Sequence, residues 1–290
     1  MDQESQAALE RGKKQLENEN YDKAIEEFSE AIKLDPDNAG FYSFRAEAYL
    51  RKWQIDEAIR DCNVVIRLRP DYNYVYIRRG KAYLYSDRLD EAIVDFNEAI
   101  RLDASFAEAF AFRGFAYRDK GHYDQAIVDF TENIRLDPND ALAYAARGEV
   151  YRKKGQYDHA ISDCTEALRL DVNYAKAYFE RGEAYRKKGQ LDQAINDFNE
   201  AIMLDQNYAF SVYNSRGQAY LYKFQLDEAI ADFTESIKLE PNYIPAIGVR
   251  GLAYKQKGNI AQAIKDFEKV LSLEPNNAVA KEALREIRGQ

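Results

Sequence analysis

A period of 34 residues runs through this sequence and constrains its fold more than any other feature. Variants of the string Ala-Ile-x-Asp-Phe-x-Glu-Ala-Ile return along the chain, each after an Arg-Gly-x-Ala-Tyr phrase. Periods of this length are typical of stacked helical repeats, in which neighbouring units cover each other's apolar faces. One extra residue, near Ala209–Phe210, is predicted to bulge a loop. With the recurrent glycine at position eight, the repeats span residues 5–38, 39–72, 73–106, 107–140, 141–174, 175–208, 210–243 and 244–277.

Each repeat is predicted to form two antiparallel helices. Positions four, eight and eleven of the first half gather on one side of a helix. Position eleven is tyrosine and position eight is glycine in seven repeats each. Because glycine costs about 1 kcal/mol inside a helix, its recurrence predicts a second helix too close for a side chain. This second helix carries an Ala-Ile pair at positions 20 and 21, and an aspartate near its start is predicted to be its N-cap.

This pattern resembles the tetratricopeptide repeat over residues 5–277, with Gly at position eight, Tyr at eleven, Ala at twenty, Phe at twenty-four and Pro at thirty-two. The resemblance implies an all-α fold, a right-handed α-solenoid (superhelix) of antiparallel helix pairs. We expect a single solenoid domain over residues 1–290. The solvated first repeat is expected to cap one end, and a helix within residues 278–290 the other.

Opposite charges recur at two positions of the repeat. Position seven is arginine in every repeat, and position twenty-three is aspartate or glutamate. Both positions lie at the edge of an apolar face. The simplest interpretation is a partly buried ion pair that joins the two helices of each repeat. The alternative is an arginine ladder that binds an anionic ligand.

The candidate ligand-binding residues lie on the first helices. By helical phase, positions two, five, nine, twelve and thirteen point away from the packed side, and the resemblance implies that they line a concave groove. An aromatic patch there anchors a ligand or fills gaps between helices. A basic stripe, formed by Arg118, Arg152, Lys153, Arg186 and Lys187, binds an acidic segment or stabilises helix ends. The candidates are Tyr74, Arg78, Tyr85, Phe115, Arg118, Arg152, Lys153, Phe179, Arg186, Lys187 and Tyr222.

Known uses of such repeats narrow the function further. The family's two-carboxylate clamp needs Lys at position five with Asn at position nine, and no repeat has this pair, although Arg78 matches one other clamp position. Phosphate-binding glycine loops are missing, and the two histidines, His122 and His159, lie in no metal-ligand pattern. The sequence predicts no enzyme, no cofactor and no metal.

The favoured function is a protein–protein interaction scaffold that binds a peptide or helical segment of a partner. A self-assembling structural solenoid, which would form a homo-oligomer, is the first alternative. RNA or another polyanion along the basic stripe is less favoured, because a net charge of −9 opposes nonspecific nucleic-acid binding.

The sequence also favours a cytoplasmic protein. No apolar run approaches the roughly 18 residues of a membrane span, and the N-terminus lacks the pattern of a signal peptide. Cys62 and Cys164 lie at equivalent points of repeats three units apart, where other repeats have Phe. They are predicted to be small buried hydrophobic residues without a disulfide, which fits a reducing compartment.

Overall fold

The computed structural model describes residues 3–206 and 209–289, and within these ranges all regular structure is helical, with no strand. Short turns separate the helices, which confirms the predicted all-α fold. The helices are α1 (Gln3–Glu17), α2 (Tyr21–Leu34), α3 (Ala39–Arg51), α4 (Ile55–Leu68), α5 (Asn73–Tyr85), α6 (Leu89–Leu102), α7 (Ala107–Asp119), α8 (Tyr123–Leu136), α9 (Ala141–Lys153), α10 (Tyr157–Leu170), α11 (Ala175–Lys187), α12 (Leu191–Leu204), α13 (Ala209–Tyr222), α14 (Leu226–Leu239), α15 (Ile244–Gln256), α16 (Ile260–Leu273) and α17 (Ala278–Arg288).

The chain divides into two compact units, Met1–Asn139 and Asp140–Gln290, called unit 1 and unit 2 below. Within each unit, every helix packs on the next, and the first helix of a repeat also contacts the first helix of the following one. Each unit is therefore an α-solenoid of helix pairs. The single domain over residues 1–290 stays a prediction. The predicted bulge lies beside residues 207–208, which are outside the described residues.

Glycine at position eight lets the two helices of a repeat approach closely. A β-carbon added to Gly80 would lie 2.6 Å from Cε1 of Phe96, whose side chain is fully buried. The second repeat has Ala46 and Cys62 at these two positions, in one core cluster. In that repeat, a smaller residue on the second helix accompanies a methyl group on the first.

The turn between the two helices of each repeat contains a residue with positive φ. This left-handed conformation is strained for residues other than glycine, by roughly 1–2 kcal/mol. Glycine occupies the position in four repeats with φ between 76° and 82°: Gly121, Gly155, Gly189 and Gly258. Four larger residues occupy it with φ of 58° or 59°: Glu19, Trp53, Asp87 and Phe224.

The prediction that an aspartate caps the second helix is wrong. Helix α12 begins at Leu191 with Gln190 as its N-cap, so Asp192 is the second helical residue. Its carboxylate still faces the positive end of the helix dipole. It also binds a lysine of the next repeat, because Lys223 Nζ lies 2.5 Å from Asp192 Oδ1. Lys188 and Asp158 form the equivalent pair one repeat earlier.

The ion pair predicted between positions seven and twenty-three is present in all eight repeats. In unit 1, Arg79 donates from Nε and Nη2 to the two oxygens of Asp95 at 2.8 and 2.6 Å. Its Nη1 donates to Asn63 of the preceding repeat at 2.6 Å. The same arginine therefore joins two helices and two repeats, which supports the structural interpretation. The pairs are Arg11–Glu27, Arg45–Asp61, Arg79–Asp95, Arg113–Asp129, Arg147–Asp163, Arg181–Asp197, Arg216–Asp232 and Arg250–Asp266.

Burial weakens these pairs as a source of stability. Burial raises the pKa of the Asp95 carboxyl above its ordinary value, although the facing Arg79 lowers it. The pKa values of Asp129, Asp197 and Asp232 are raised for the same reason. Because desolvation offsets much of the attraction, we expect the pairs to fix the register of the helices more than to stabilise the fold.

The two cysteines provide one probe for each unit. Cys62 and Cys164 are fully buried, and burial raises the pKa of Cys62 to about 12 and that of Cys164 well above its ordinary value. Because the thiolate is the reactive form, we expect neither to react with a thiol reagent in the native protein. Both should react in denaturant. Reaction of the native protein at the rate of the unfolded chain would contradict this burial.

The same reagent tests the single-domain prediction. Denaturant titrations of Cys62→Ala and Cys164→Ala report the exposure of the remaining cysteine in each variant. Coincident midpoints are expected for one cooperative domain. Well-separated midpoints would show that units 1 and 2 unfold independently.

Candidate functional site

The predicted ligand-binding residues fall into both units. In unit 1, α5 carries Tyr74, Arg78 and Tyr85, and α7 carries Phe115 and Arg118. In unit 2, α9 carries Arg152 and Lys153, and α11 carries Phe179, Arg186 and Lys187. Tyr222 ends α13. The cations and the aromatic residues of this set differ sharply in how the fold uses them.

Two arginines of the predicted basic stripe form buried ion pairs in unit 2. Arg152 Nε donates to Glu180 Oε2 at 2.5 Å. Arg186 Nε and Nη2 donate to the two oxygens of Glu183 at 3.0 and 2.8 Å. Both carboxylates are buried, and the side chain of Arg186 is only 8% exposed. The pair of Arg152 joins α9 to α11, and the pair of Arg186 lies within α11.

The carboxylates of this cluster have opposite pKa shifts. Burial raises the pKa of Glu180 above its ordinary value, although Arg152 lowers it. Burial also disfavours the charge of Glu183, but hydrogen bonds from Arg186 and from the Ser215 hydroxyl hold its pKa below the ordinary value. The Arg152–Glu180 pair is therefore the costlier one to keep charged.

Of the remaining cations, Arg118 and Lys153 contact carboxylates, and Lys187 is exposed. Arg118 Nε contacts Asp119 Oδ1 at 2.8 Å and lies over the Phe115 ring at 5.0 Å. Lys153 Nζ is 2.9 Å from buried Glu149. Lys187 is exposed on the last turn of α11. The stripe is thus interleaved with carboxylates.

Arg78 of unit 1 is half-buried and joins two neighbouring repeats. Its Nε donates to Glu47 Oε2 at 3.1 Å, and its Nη1 donates to the Ser43 hydroxyl. Ser43 lies at position five, which is buried here although the helical phase predicted that it faces a ligand. The reason is that the first helix of the next repeat covers this position.

Phe179 lies at the same position of the repeat and is partly buried. It occupies position five of the sixth repeat and packs against the buried core of unit 2, with its ring 6.1 Å from that of Phe198. Phe115 is likewise half-buried, with its ring 5.1 Å from that of Phe130. Both side chains fill space between helices.

Three candidate tyrosines remain exposed. Tyr74 exposes 46% and Tyr85 exposes 43% of its surface in unit 1, and Tyr222 exposes 64% in unit 2. Tyr74 packs edge-on against Phe106 with ring centroids 4.7 Å apart. Tyr74 and Tyr85 lie at the two ends of α5, so this helix presents an exposed aromatic ring at each end.

A further exposed aromatic residue, Trp53, was not predicted. Its indole lies 5.2 Å from the Tyr85 ring, and 69% of its surface is exposed. The two rings line a cleft of about 410 Å³ together with Glu47, Leu50, Arg51 and Lys81. The sequence did hold a signal, because four other repeats have glycine at the position of Trp53.

The two histidines lie in different repeats. His122 is the N-cap of α8, and His159 is exposed with its ring 5.1 Å from that of Tyr151. Within residues 3–206 and 209–289, no group of three or more His, Cys, Asp or Glu side chains is placed to hold a metal ion. No helix in this part of the chain has the length and hydropathy needed to cross a bilayer.

Sequence profiles of known families match most of the chain. The TPR repeat profile matches residues 12–52, 80–121, 114–155 and 148–189. The tetratricopeptide repeat profile matches residues 175–208, 210–243 and 246–277. The chain belongs to the tetratricopeptide repeat (TPR) family. TPR proteins are generally non-catalytic scaffolds for protein–protein interaction.

Solved structures of other TPR proteins are similar to this one. The Cut9–Hcn1 hetero-tetramer of the APC/C contains a chain with a TM-score of 0.71 and 20% identity; the match covers 92% of the TPR chain described here and 52% of that chain. The present chain thus spans about half the length of that relative. This likeness concerns the fold alone.

Two smaller TPR proteins match over most of their own length. YrrB, described as a TPR protein with an unusual peptide-binding site, has a TM-score of 0.54 and 23% identity, over 66% of this chain and 97% of its own. MamA has a TM-score of 0.52 and 32% identity, over 57% of this chain and 96% of its own. A comparison with curated protein sequences finds no match.

Proposed function

We propose that this TPR protein is an interaction scaffold whose unit 1 binds an extended or helical segment of a partner protein along α5. The observation that carries this proposal is the exposure of Tyr74 and Tyr85 at the two ends of that helix. Tyrosine side chains supply a large contact area at low entropic cost and are enriched among the residues that dominate interfaces. Neither tyrosine is part of the buried core of unit 1.

Charge pairing favours an apolar segment over an acidic one. Arg78, Arg152 and Arg186 all donate to carboxylates of the same unit. An acidic ligand would have to compete with these groups and would meet Glu149 beside Lys153. The same pairing disfavours RNA or another polyanion along the stripe, together with the net charge of −9.

Membership of the TPR family supports a protein or peptide as the ligand and does not identify the partner. TPR proteins generally bind protein or peptide partners, and YrrB is a TPR protein described by its peptide-binding site. A self-assembling solenoid remains the second candidate from the sequence. Light scattering across a range of protein concentrations separates it, since only self-assembly makes the mass depend on concentration.

Selection from a library of random linear peptides displayed on phage tests the proposal. We expect enriched peptides rich in apolar and aromatic residues, which lose binding to a Tyr74→Ala, Tyr85→Ala double variant. Tyr222→Ala is the matched control, because it removes from unit 2 a tyrosine that is more exposed than either of these. Retention of the peptides by the double variant would place the site elsewhere.

A test of ligand binding at the basic stripe needs substitutions that leave the fold intact. Charge reversal at Arg152 would strand buried Glu180, so a loss of binding would be uninformative. Lys153→Ala and Lys187→Ala remove the exposed cations instead. Acidic enriched peptides that fail to bind this double variant would contradict the proposal and support the basic stripe.

A further inference from the structure

Trp53 occupies a position that the fold would fill better with another residue. Its φ is 58°, a region where side chains with a β-carbon are strained, and equivalent turns hold Gly121, Gly155, Gly189 and Gly258. It also leaves 69% of a large apolar surface in water. Neither feature stabilises unit 1; both recur at Phe224 of unit 2, so the distinguishing feature of Trp53 is the cleft around its indole.

The next repeat completes a pocket around this indole. Tyr85, at the end of α5, places its ring 5.2 Å from Trp53 with the two planes tilted by 43°. Buried Leu50 and the two rings line a cleft of about 410 Å³. This volume is near the lower end of the roughly 300–1,000 Å³ typical of ligand pockets, and it suits one or two side chains of a peptide.

The charges around the cleft indicate which side chain fits. Glu47 accepts from Arg51 at 2.9 Å on one oxygen and from Arg78 at 3.1 Å on the other. Lys81 lies 3.3 Å from Glu108 and 4.6 Å from the centre of the Phe112 ring. A charged occupant would therefore lose its hydration without finding an unpaired counter-charge. An uncharged apolar occupant loses nothing of this kind.

We propose that the Trp53–Tyr85 cleft is an anchor pocket for one large, uncharged apolar side chain of the partner segment. This inference rests on the proposed function and adds the residue class that the partner must present. In this proposal the indole serves binding, whereas glycine at the same turn would relieve the backbone strain.

Two other turns provide matched controls. Asp87 has φ of 59° in the same unit, and Phe224 has φ of 59° in unit 2, where it exposes 76% of its surface. Replacement of either by glycine relieves the same backbone strain as Trp53→Gly. Asp87→Gly therefore controls for the backbone, and Phe224→Gly for loss of an exposed aromatic side chain.

The indole itself reports occupancy of the pocket. Trp53 is the only tryptophan, so its Nε1–H gives a single signal in a ¹H–¹⁵N spectrum. We expect N-acetyl-leucinamide and N-acetyl-phenylalaninamide to shift this signal saturably, and the corresponding glutamate and lysine amides to leave it in place. No saturable shift with either apolar probe, or equal shifts with the charged probes, would overturn the pocket, whether or not the peptide selection succeeds.

Affinity for a display-selected peptide gives the second readout, by fluorescence anisotropy of the labelled peptide. Trp53→Gly is expected to weaken binding by more than about tenfold, while Asp87→Gly and Phe224→Gly leave it unchanged. The melting temperatures of all three variants should not fall. Unchanged binding by Trp53→Gly would overturn the anchor pocket and leave the scaffold function standing. An equal loss in Phe224→Gly would overturn it as well.

Discussion

Replacing Arg79 with glutamate is expected to destabilise unit 1 by about 3–5 kcal/mol, the usual range when one partner of a buried ion pair is lost. The side chain of Asp95 is only 3% exposed and accepts two hydrogen bonds from Arg79. The substitution leaves this carboxylate unpaired and adds a second negative charge beside it. It also removes the donor to Asn63 of the preceding repeat.

Urea unfolding of three variants measures this effect. Arg101→Glu is the matched control, because it makes the same change of charge in an exposed pair with Glu98 and is expected to cost less than about 1 kcal/mol. Adding Asp95→Arg to Arg79→Glu restores opposite charges and should recover part of the loss. Equal effects of Arg79→Glu and Arg101→Glu would contradict a structural ion pair.

The second large effect is expected at the contact between Gly80 and Phe96. An alanine β-carbon at Gly80 would lie 2.6 Å from a fully buried ring, and overpacking of this kind costs about 1–3 kcal/mol. Phe96→Cys alone leaves a cavity and is expected to cost about 3 kcal/mol or more. The double variant recreates the Ala46–Cys62 combination of the second repeat, so it should cost clearly less than the sum.

Gly248→Ala is the control for this cycle. Gly248 also lies within a helix, but the nearest atom to an added β-carbon is Val270 Cγ2 at 3.9 Å, an ordinary contact. Since alanine favours a helix over glycine by about 1 kcal/mol, Gly248→Ala should stabilise unit 2 slightly. Additive costs in the Gly80–Phe96 cycle, measured by urea unfolding, would show that the two positions do not interact.

The sequence predicted those parts of the fold that recur in every repeat. The recurrence of glycine at position eight, which includes Gly80, predicted a second helix too close for a side chain, and Phe96 is the residue that it meets. The Arg79–Asp95 pair followed from the same reasoning. Repetition reveals such contacts because a residue that returns at one position eight times reflects the packing of the repeat and not one local site.

Contacts that occur once could not be predicted in this way. The Arg152–Glu180 pair joins different repeats, and its formation depends on how closely α9 and α11 pack. Helical phase alone placed Arg152 in a basic stripe and missed its buried partner. The prediction that position five faces a ligand was wrong for the same reason, because the neighbouring repeat covers Ser43.

Trp53 illustrates a signal that was present but unused. Four repeats have glycine at position fifteen, a residue that accommodates positive φ in a turn. Trp53 and Phe224 instead place a large aromatic side chain at this turn, a departure from the repeat that the sequence alone could have shown. The proximity of Tyr85, in contrast, required the structure, since it comes from the next repeat.

Acrylamide quenching of Trp53 fluorescence, with and without a saturating display-selected peptide, tests most directly whether a partner segment binds along α5 of unit 1. Trp53 is the sole tryptophan and is exposed beside Tyr85. A bound segment is predicted to shield the indole and to lower the quenching constant. An unchanged quenching constant, under conditions where anisotropy shows the peptide fully bound, would contradict binding at this face.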